Sequence, residues 1–248
     1  GIYIHIPFCK RACHYCNFHF STSLQLKNAF LEALLKEVAL QQAYLQGQAV
    51  HTVYFGGGTP SLLSIDELEN ILAVLRQSFP IDPAAEVTLE ANPDDITPAQ
   101  LRAWKAAGIN RLSIGIQSFF DADLQWMNRA HSARQARSSI EWAQDAGLDN
   151  MTIDLIYGIP GLTDEQWHQN VQEAIRLQIP HLSCYALTVE SHTALDSMIR
   201  RKKALPVNTE DQARQFLHLM DWTDAAGYQH YEISNFALPG HHSRHNSS

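Results

Sequence analysis

Short apolar runs alternate with longer helical patterns along almost the whole chain, and this alternation leaves few folds open. Six runs rich in Ile, Val, Leu, Thr and Tyr read as strands, at residues 2–6, 50–55, 86–91, 111–116, 150–156 and 181–186. Side chains of those types suit a pleated surface. The helices between them have readable starts. Ser64 with Glu67, Thr97 with Gln100, Ser132 with Gln135, and Thr163 with Gln166 all fit the capping box. There the Ser or Thr oxygen accepts from an orphan helix N–H, and the Glu or Gln returns the bond. Pro98 suits a first helical position. Gly108, Gly147 and Gly227 each stand between an Ala and an apolar residue, where a helix ends and a strand begins. Gly supplies the left-handed conformation that stops a helix. Strand and helix in series imply a parallel sheet with right-handed crossovers. The expected class is therefore α/β, a partial parallel (βα)6-type TIM barrel.

The 248 residues, 45% of them hydrophobic, can bury a sizeable core. Barrels of this length commonly form one domain, so 1–248 is expected to be a single core domain. The net charge is −8 and no Lys/Arg block is present, which argues against a nucleic-acid surface. No apolar run reaches the length of a membrane span, and no signal-peptide pattern is seen, so a cytoplasmic location is expected.

Of the four cysteines, Cys9, Cys13 and Cys16 crowd into one loop as C-x3-C-x2-C, directly after the first strand. That crowding reads as metal binding rather than a disulfide framework. Cys184 lies in an apolar strand pattern and reads as a buried structural residue. Three thiolates can hold three irons of a cubane and leave the fourth open to a chelating small molecule. The amino and carboxylate groups of S-adenosylmethionine suit such an iron. A zinc site with His14 or His19 as the fourth ligand fits the same spacing.

The context of the loop narrows this choice. The string Tyr3-Ile-His-Ile-Pro-Phe-Cys9 resembles the radical-SAM family that includes the oxygen-independent coproporphyrinogen III oxidase and the haem chaperones of the HemW type. The resemblance runs from Ile2 to the last residues. It implies a [4Fe–4S] cluster on Cys9, Cys13 and Cys16, with S-adenosylmethionine beside it and an electron donor to the cluster. It also implies a further C-terminal domain, with the present chain a fragment of a longer protein.

Other residues join this site. After the second strand comes Gly56-Gly-Gly-Thr-Pro60, and glycines let a backbone approach a ligand closely. Glu90, Gln117 and Asp154 are single polar residues in or just after apolar strands, where they cost free energy unless partnered. All would face the strand C-terminal rim, where barrel chemistry sits. The resemblance places Tyr3, Gly57, Gly58, Thr59, Glu90, Gln117, Arg129 and Asp154 in contact with S-adenosylmethionine.

Two branches of the family remain, differing in class. The oxidase oxidatively decarboxylates coproporphyrinogen III; the chaperone binds haem and hands it to an acceptor protein. The oxidase carries a further Cys two positions after its third cluster Cys, and Phe18 stands there instead. The chaperones have a His-Asn-x-x-Tyr-Trp motif implicated in haem binding, and His245-Asn246 matches its first half. His is a common axial ligand for haem iron. The expectation is a haem-binding chaperone with His245 and Asn246 at its haem site. Coproporphyrinogen dehydrogenation is the alternative. His241, His242 and His245 could equally belong to a mobile polar tail.

Overall fold

The computed structural model describes residues 1–246. Its centre is one eight-stranded sheet in the order β1-β2-β3-β4-β5-β6-β8-β7. Here β1 is Ile2–Ile6, β2 Val50–Gly57, β3 Ile81–Ala91, β4 Arg111–Gln117, β5 Met151–Tyr157, β6 His181–Ala186, β7 Gln229–Glu232 and β8 Asn235–Ala237. The first six strands pair in parallel, each with the next. The β7–β8 hairpin then closes the far side antiparallel to β6. Among the described residues β1 pairs only with β2, so the barrel is open there.

The helices are α1 (Lys27–Leu40), α2 (Ile65–Ser78), α3 (Pro98–Ala107), α4 (Asp121–Trp126), α5 (Ala133–Asp145), α6 (Asp164–Arg176), α7 (Ala194–Arg200) and α8 (Thr209–Ala225). The capping signals at Ser64, Ser132 and Thr163 form reciprocal boxes. At Thr97 only half of the box forms: its hydroxyl accepts from the Gln100 N–H, and Gln100 returns no bond. Gly108 does sit in the left-handed region, with φ of 105°.

Parallel strands covered on both faces usually read as continuous apolar runs. These strands instead alternate, because one face lines a polar lumen. Val53, Phe55, Leu89, Leu112, Ile114, Ile153, Leu155 and Leu182 are buried in the core with helix residues such as Leu68, Leu72, Trp104, Ile140 and Trp167. The intervening residues, among them Thr52, Tyr54, Glu90, Ser113 and Asp154, belong to the opposite face by the two-residue period of a strand. Cys184 is buried on β6, as its context suggests.

The chain beyond β8 is not a loose tail. Ser243 is only 1% exposed. The backbone N–H groups of Arg244 and His245 both donate to Glu86 Oε1, at 3.1 and 3.3 Å. Below them runs a buried polar chain. Arg111 donates to Thr152 Oγ1 at 2.6 Å, which meets His181 Nδ1 at 3.0 Å, and His181 Nε2 meets the Tyr231 hydroxyl at 2.7 Å. Residues 243–246 thus cover the end of the barrel where the strands begin. Catalytic groups of barrels gather at the other end.

Candidate cofactor site

A cavity of about 670 Å³ opens where the parallel strands end. Cys9, Cys13 and Cys16 line it together with Gly57, Gly58 and Thr59. Glu90, Gln117, Arg129 and Asp154 complete the set. Every residue expected at the cluster or at S-adenosylmethionine is therefore on one wall or another, except Tyr3. Residues from six separate segments meet here: the cysteine loop, the glycine run and Gln117 follow or end strands, Glu90 and Asp154 lie within β3 and β5, and Arg129 follows α4.

The cysteine loop is pinned by contacts far away in sequence. Cys9 N–H donates to Ser21 O at 3.0 Å, closing the loop on itself. Lys10 pairs with Asp94 at 3.0 Å and also with Asp95. Asn128 donates to Ala12 O at 2.8 Å, Arg11 to Arg129 O at 3.0 Å, and His14 N–H to Met127 O at 3.2 Å. These anchors hold the loop in place before any ligand arrives. His14 Nδ1 donates to Trp126 O at 2.7 Å, so Nε2 is the ring nitrogen with a lone pair for a metal. A mononuclear zinc centre asks for side chains aimed at one point. Among the described residues, no three His, Cys, Asp or Glu side chains gather in that way. A cubane asks for less convergence, since each thiolate takes its own iron.

Two backbone features shape the cofactor side. A Cβ at Gly57, whose φ is +108°, would lie 2.6 Å from the His5 ring, and one at Gly58 would lie 2.7 Å from Phe8 O. Only glycine lets this strand end lie so close to the cysteine loop. Gln117 ends β4 with φ of +67°, an uncommon state for a residue with a side chain, at a register shift against β5. Backbone strain of this kind concentrates at functional sites.

The charges of the cavity are unusual. Burial pushes the Glu90 carboxyl up to about 7, against the pull of a hydrogen bond from Tyr54. Burial likewise pushes Asp154 up to about 7, with Arg129 and Arg111 pulling it down. Among the described residues no donor reaches the Asp154 carboxylate. Arg129 is held protonated; its Nη1 donates to Cys13 Sγ at 3.3 Å and its Nη2 to Asn92 Oδ1 at 2.6 Å. Its buried Nε has no partner. Two buried carboxyls that make no ion pair among the described residues, beside a buried guanidinium with a donor to spare, fit a ligand that carries an ammonium, hydroxyls and a carboxylate. S-Adenosylmethionine is such a ligand.

These shifts have a consequence for stability without ligand. A carboxyl at about 7 in the folded protein and about 4 when unfolded binds more protons folded than unfolded between those values. Stability therefore falls as pH rises from 4 to 7 and stays low above. Asp154→Asn removes that penalty. Urea unfolding of the ligand-free protein should show the variant gaining on the order of 2 kcal/mol over the parent at pH 8 and almost nothing at pH 4. An equal gain at both pH values contradicts the assignment.

The remaining expected residues lie elsewhere. Tyr3 is 51% exposed, and its ring packs against Tyr54 with centroids 5.9 Å apart. His245 is at the strand-beginning end, its Nδ1 3.0 Å from Thr52 Oγ1. Asn246 N–H reaches Ser243 Oγ at 3.5 Å. His242 is stacked on Tyr231, 4.3 Å between centroids. Sequence reasoning missed Asn92, which accepts from Arg129 and donates to Thr59 Oγ1 at 3.2 Å. It also missed Tyr54, whose hydroxyl donates to Glu90 Oε1 at 2.8 Å. Asn92 directly precedes Pro93 at the end of β3, a position that marks it as a strand-end turn residue.

Residues 3–174 match the model of the Radical SAM superfamily. The chain belongs to the radical SAM superfamily. Membership implies a [4Fe–4S] cluster and S-adenosylmethionine, the two groups the cavity's chemistry suits. The radical SAM chain is 37% identical over 245 residues to the protein named Heme chaperone HemW of Lactococcus lactis subsp. lactis, covering 98% of this chain and 64% of that one. It is 37% identical over 256 residues to Heme chaperone HemW of Escherichia coli, covering 99% of this chain and 65% of that one. The chain thus spans just under two thirds of these relatives. The solved structure of coproporphyrinogen III oxidase (HemN) from Escherichia coli superposes with a TM-score of 0.86 at 27% identity, over 97% of this chain and 56% of that one.

Proposed function

We propose that this chain is the radical-SAM core of a haem chaperone, a protein that binds haem and passes it to an acceptor protein. Likeness to the HemW proteins supports the reading, and Phe18 carries it. Phe18 lies on the cavity wall and is 67% exposed. The oxidase branch is expected to place a cysteine at this position, and a phenyl ring can do none of a thiol's chemistry there. Residues 1–248 form the core domain in this reading, and the remaining third of the relatives' length belongs to a further domain.

Cys9, Cys13 and Cys16 would hold the cluster. Glu90, Gln117, Asp154 and Arg129 would receive S-adenosylmethionine, with Gly57, Gly58 and Thr59 lying against it. Tyr3 would contribute from β1 through its packing on Tyr54. When bound and reduced, such a cluster supplies an electron that can cleave a sulfonium C–S bond. The chain's own residues do the positioning. Burial keeps the Cys9 and Cys16 thiols protonated until a metal takes them, while Thr59 and Arg129 favour the thiolate at Cys9. Phe18, Phe20 and Ile233 give the cavity part of its apolar lining. His245 is the proposed haem ligand; its Nδ1 keeps Thr52 if Nε2 takes the iron and leaves Thr52 if Nδ1 takes it. Among the described residues no helix is long and apolar enough to cross a membrane. This reading places the chain in the cytoplasm and needs two partners, an electron donor to the cluster and a haem-acceptor protein.

The test is one anaerobically reconstituted sample given haem and, separately, coproporphyrinogen III. Haem should bind with a shifted Soret band, His245→Ala should lose most of that shift, and the porphyrinogen should be recovered unchanged. Conversion of coproporphyrinogen III to its decarboxylated product would overturn the chaperone reading.

A further inference from the structure

The cofactor cavity and the proposed haem ligand lie at opposite ends of the barrel, and one side chain touches both His245 and a residue of the cavity wall, Glu90. Tyr54 stands midway along β2. Its hydroxyl donates to Glu90 Oε1 at 2.8 Å. Its ring stacks on His245, with centroids 4.8 Å apart and planes 24° from parallel. Tyr3 joins the same group, 5.9 Å from Tyr54 and 6.2 Å from His245. Burial pushes the Tyr54 phenol well up from its ordinary value, so the hydroxyl remains a donor.

Glu90 is gripped from two sides. Oε2 accepts from Gly57 N–H at 3.1 Å, part of the glycine run and fixed with it. Oε1 depends on Tyr54, and the seat of Tyr54 depends in turn on its neighbours. His245 is held by Thr52 Oγ1 at 3.0 Å and by its own backbone bond to Glu86. A charge-assisted hydrogen bond is strong only while donor and acceptor stay aligned. If the His245 ring leaves, Tyr54 loses one wall of its seat, and the alignment with Glu90 loosens.

We propose that Tyr54 is a positioning residue that couples His245 to Glu90, so that displacing the His245 ring weakens the hold of Glu90 on S-adenosylmethionine. This rests on the reading of Glu90 as a cofactor-binding carboxylate. The coupling is reciprocal by linkage. A metal centre that draws His245 out of the stack, haem iron included, lowers affinity at the cavity. Occupancy of the cavity by S-adenosylmethionine lowers affinity at His245 by the same factor. A chaperone built this way senses at one end what is bound at the other, without any group moving through the barrel.

The experiment measures S-adenosylmethionine dissociation constants on the anaerobically reconstituted protein, with iron content checked for each variant. Tyr54→Phe keeps the ring and loses the donor, and affinity should fall about tenfold. His245→Ala should weaken binding about fivefold, the scale of a lost ring stack. His245→Phe, which restores a ring without imidazole nitrogens, should recover most of that loss. A purely structural role for the tail predicts no such rescue. In the Tyr54→Phe background, His245→Ala should add nothing, because the donor it acts through is gone. Unchanged affinity in Tyr54→Phe with full iron overturns the proposal, as does a full further loss from His245→Ala in that background. Glu90→Ala separates the layers. If it too leaves affinity intact, the reading of Glu90 has failed. If it weakens binding while Tyr54→Phe does not, only the role of Tyr54 has failed.

Discussion

Cys9→Ala, Cys13→Ala and Cys16→Ala should each take the anaerobically reconstituted protein from about four irons per chain to nearly none. Three thiolates are the fewest that hold a cubane with one open iron, and the loop offers no spare. The fourth cysteine, Cys184, is not among the residues that line the cavity. The anchors at Asp94, Met127 and Asn128 fix where each sulfur lies, so a neighbouring group cannot slide in to replace it. Cys184→Ala is the matched control. That thiol is buried on β6, and burial pushes its pKa up, far from the form a metal needs. It should keep its full iron content. Stoichiometric zinc with no iron after anaerobic reconstitution would return the loop to a mononuclear site.

Glu90→Ala should leave iron in place and weaken S-adenosylmethionine binding about a hundredfold, the scale of a lost charge-assisted contact in a buried site. The carboxylate opens onto the cavity, held in direction by Tyr54 and Gly57. Its deletion removes the anion that faces a ligand ammonium and leaves only Asp154 to take its place. Gln117→Ala should act in the same sense by a smaller factor, since a neutral amide is lost. Titration of the reduced cluster's EPR spectrum measures both. Affinity unchanged in Glu90→Ala would remove this carboxylate from the cofactor site.

What could be read from the sequence follows from where each residue sits. Glu90, Gln117 and Asp154 were legible because a lone polar residue in an apolar strand is costly without a purpose. The first half of β3 was not. Residues 81–85 include Asp82 and Pro83, poor strand formers, and are strand here through pairing that starts with Val50 against Ile81. The β7–β8 hairpin escaped for the same reason: Gln229–Glu232 is polar and mostly exposed, and its pairing partner defines it. Tyr54 was hidden because a Tyr among Val and Phe reads as core. Lys10 was hidden because its acidic partners lie 84 and 85 residues away. A mobile polar tail stayed open as the alternative to a haem site at His245, since nothing local reveals that Glu86 would accept two of the tail's backbone N–H groups. Phe18 carried its meaning only through comparison with a family pattern.

In the proposed function one cavity holds an open-iron cluster and the molecule that chelates it. The direct measurement is the EPR spectrum of the reduced, anaerobically reconstituted protein before and after S-adenosylmethionine is added. A cluster with a free iron beside Glu90, Arg129 and Asp154 should change its g-values and line shape on addition, saturating at one cofactor per cluster. A spectrum that stays the same at saturating cofactor, with about four irons present per chain, would contradict the account.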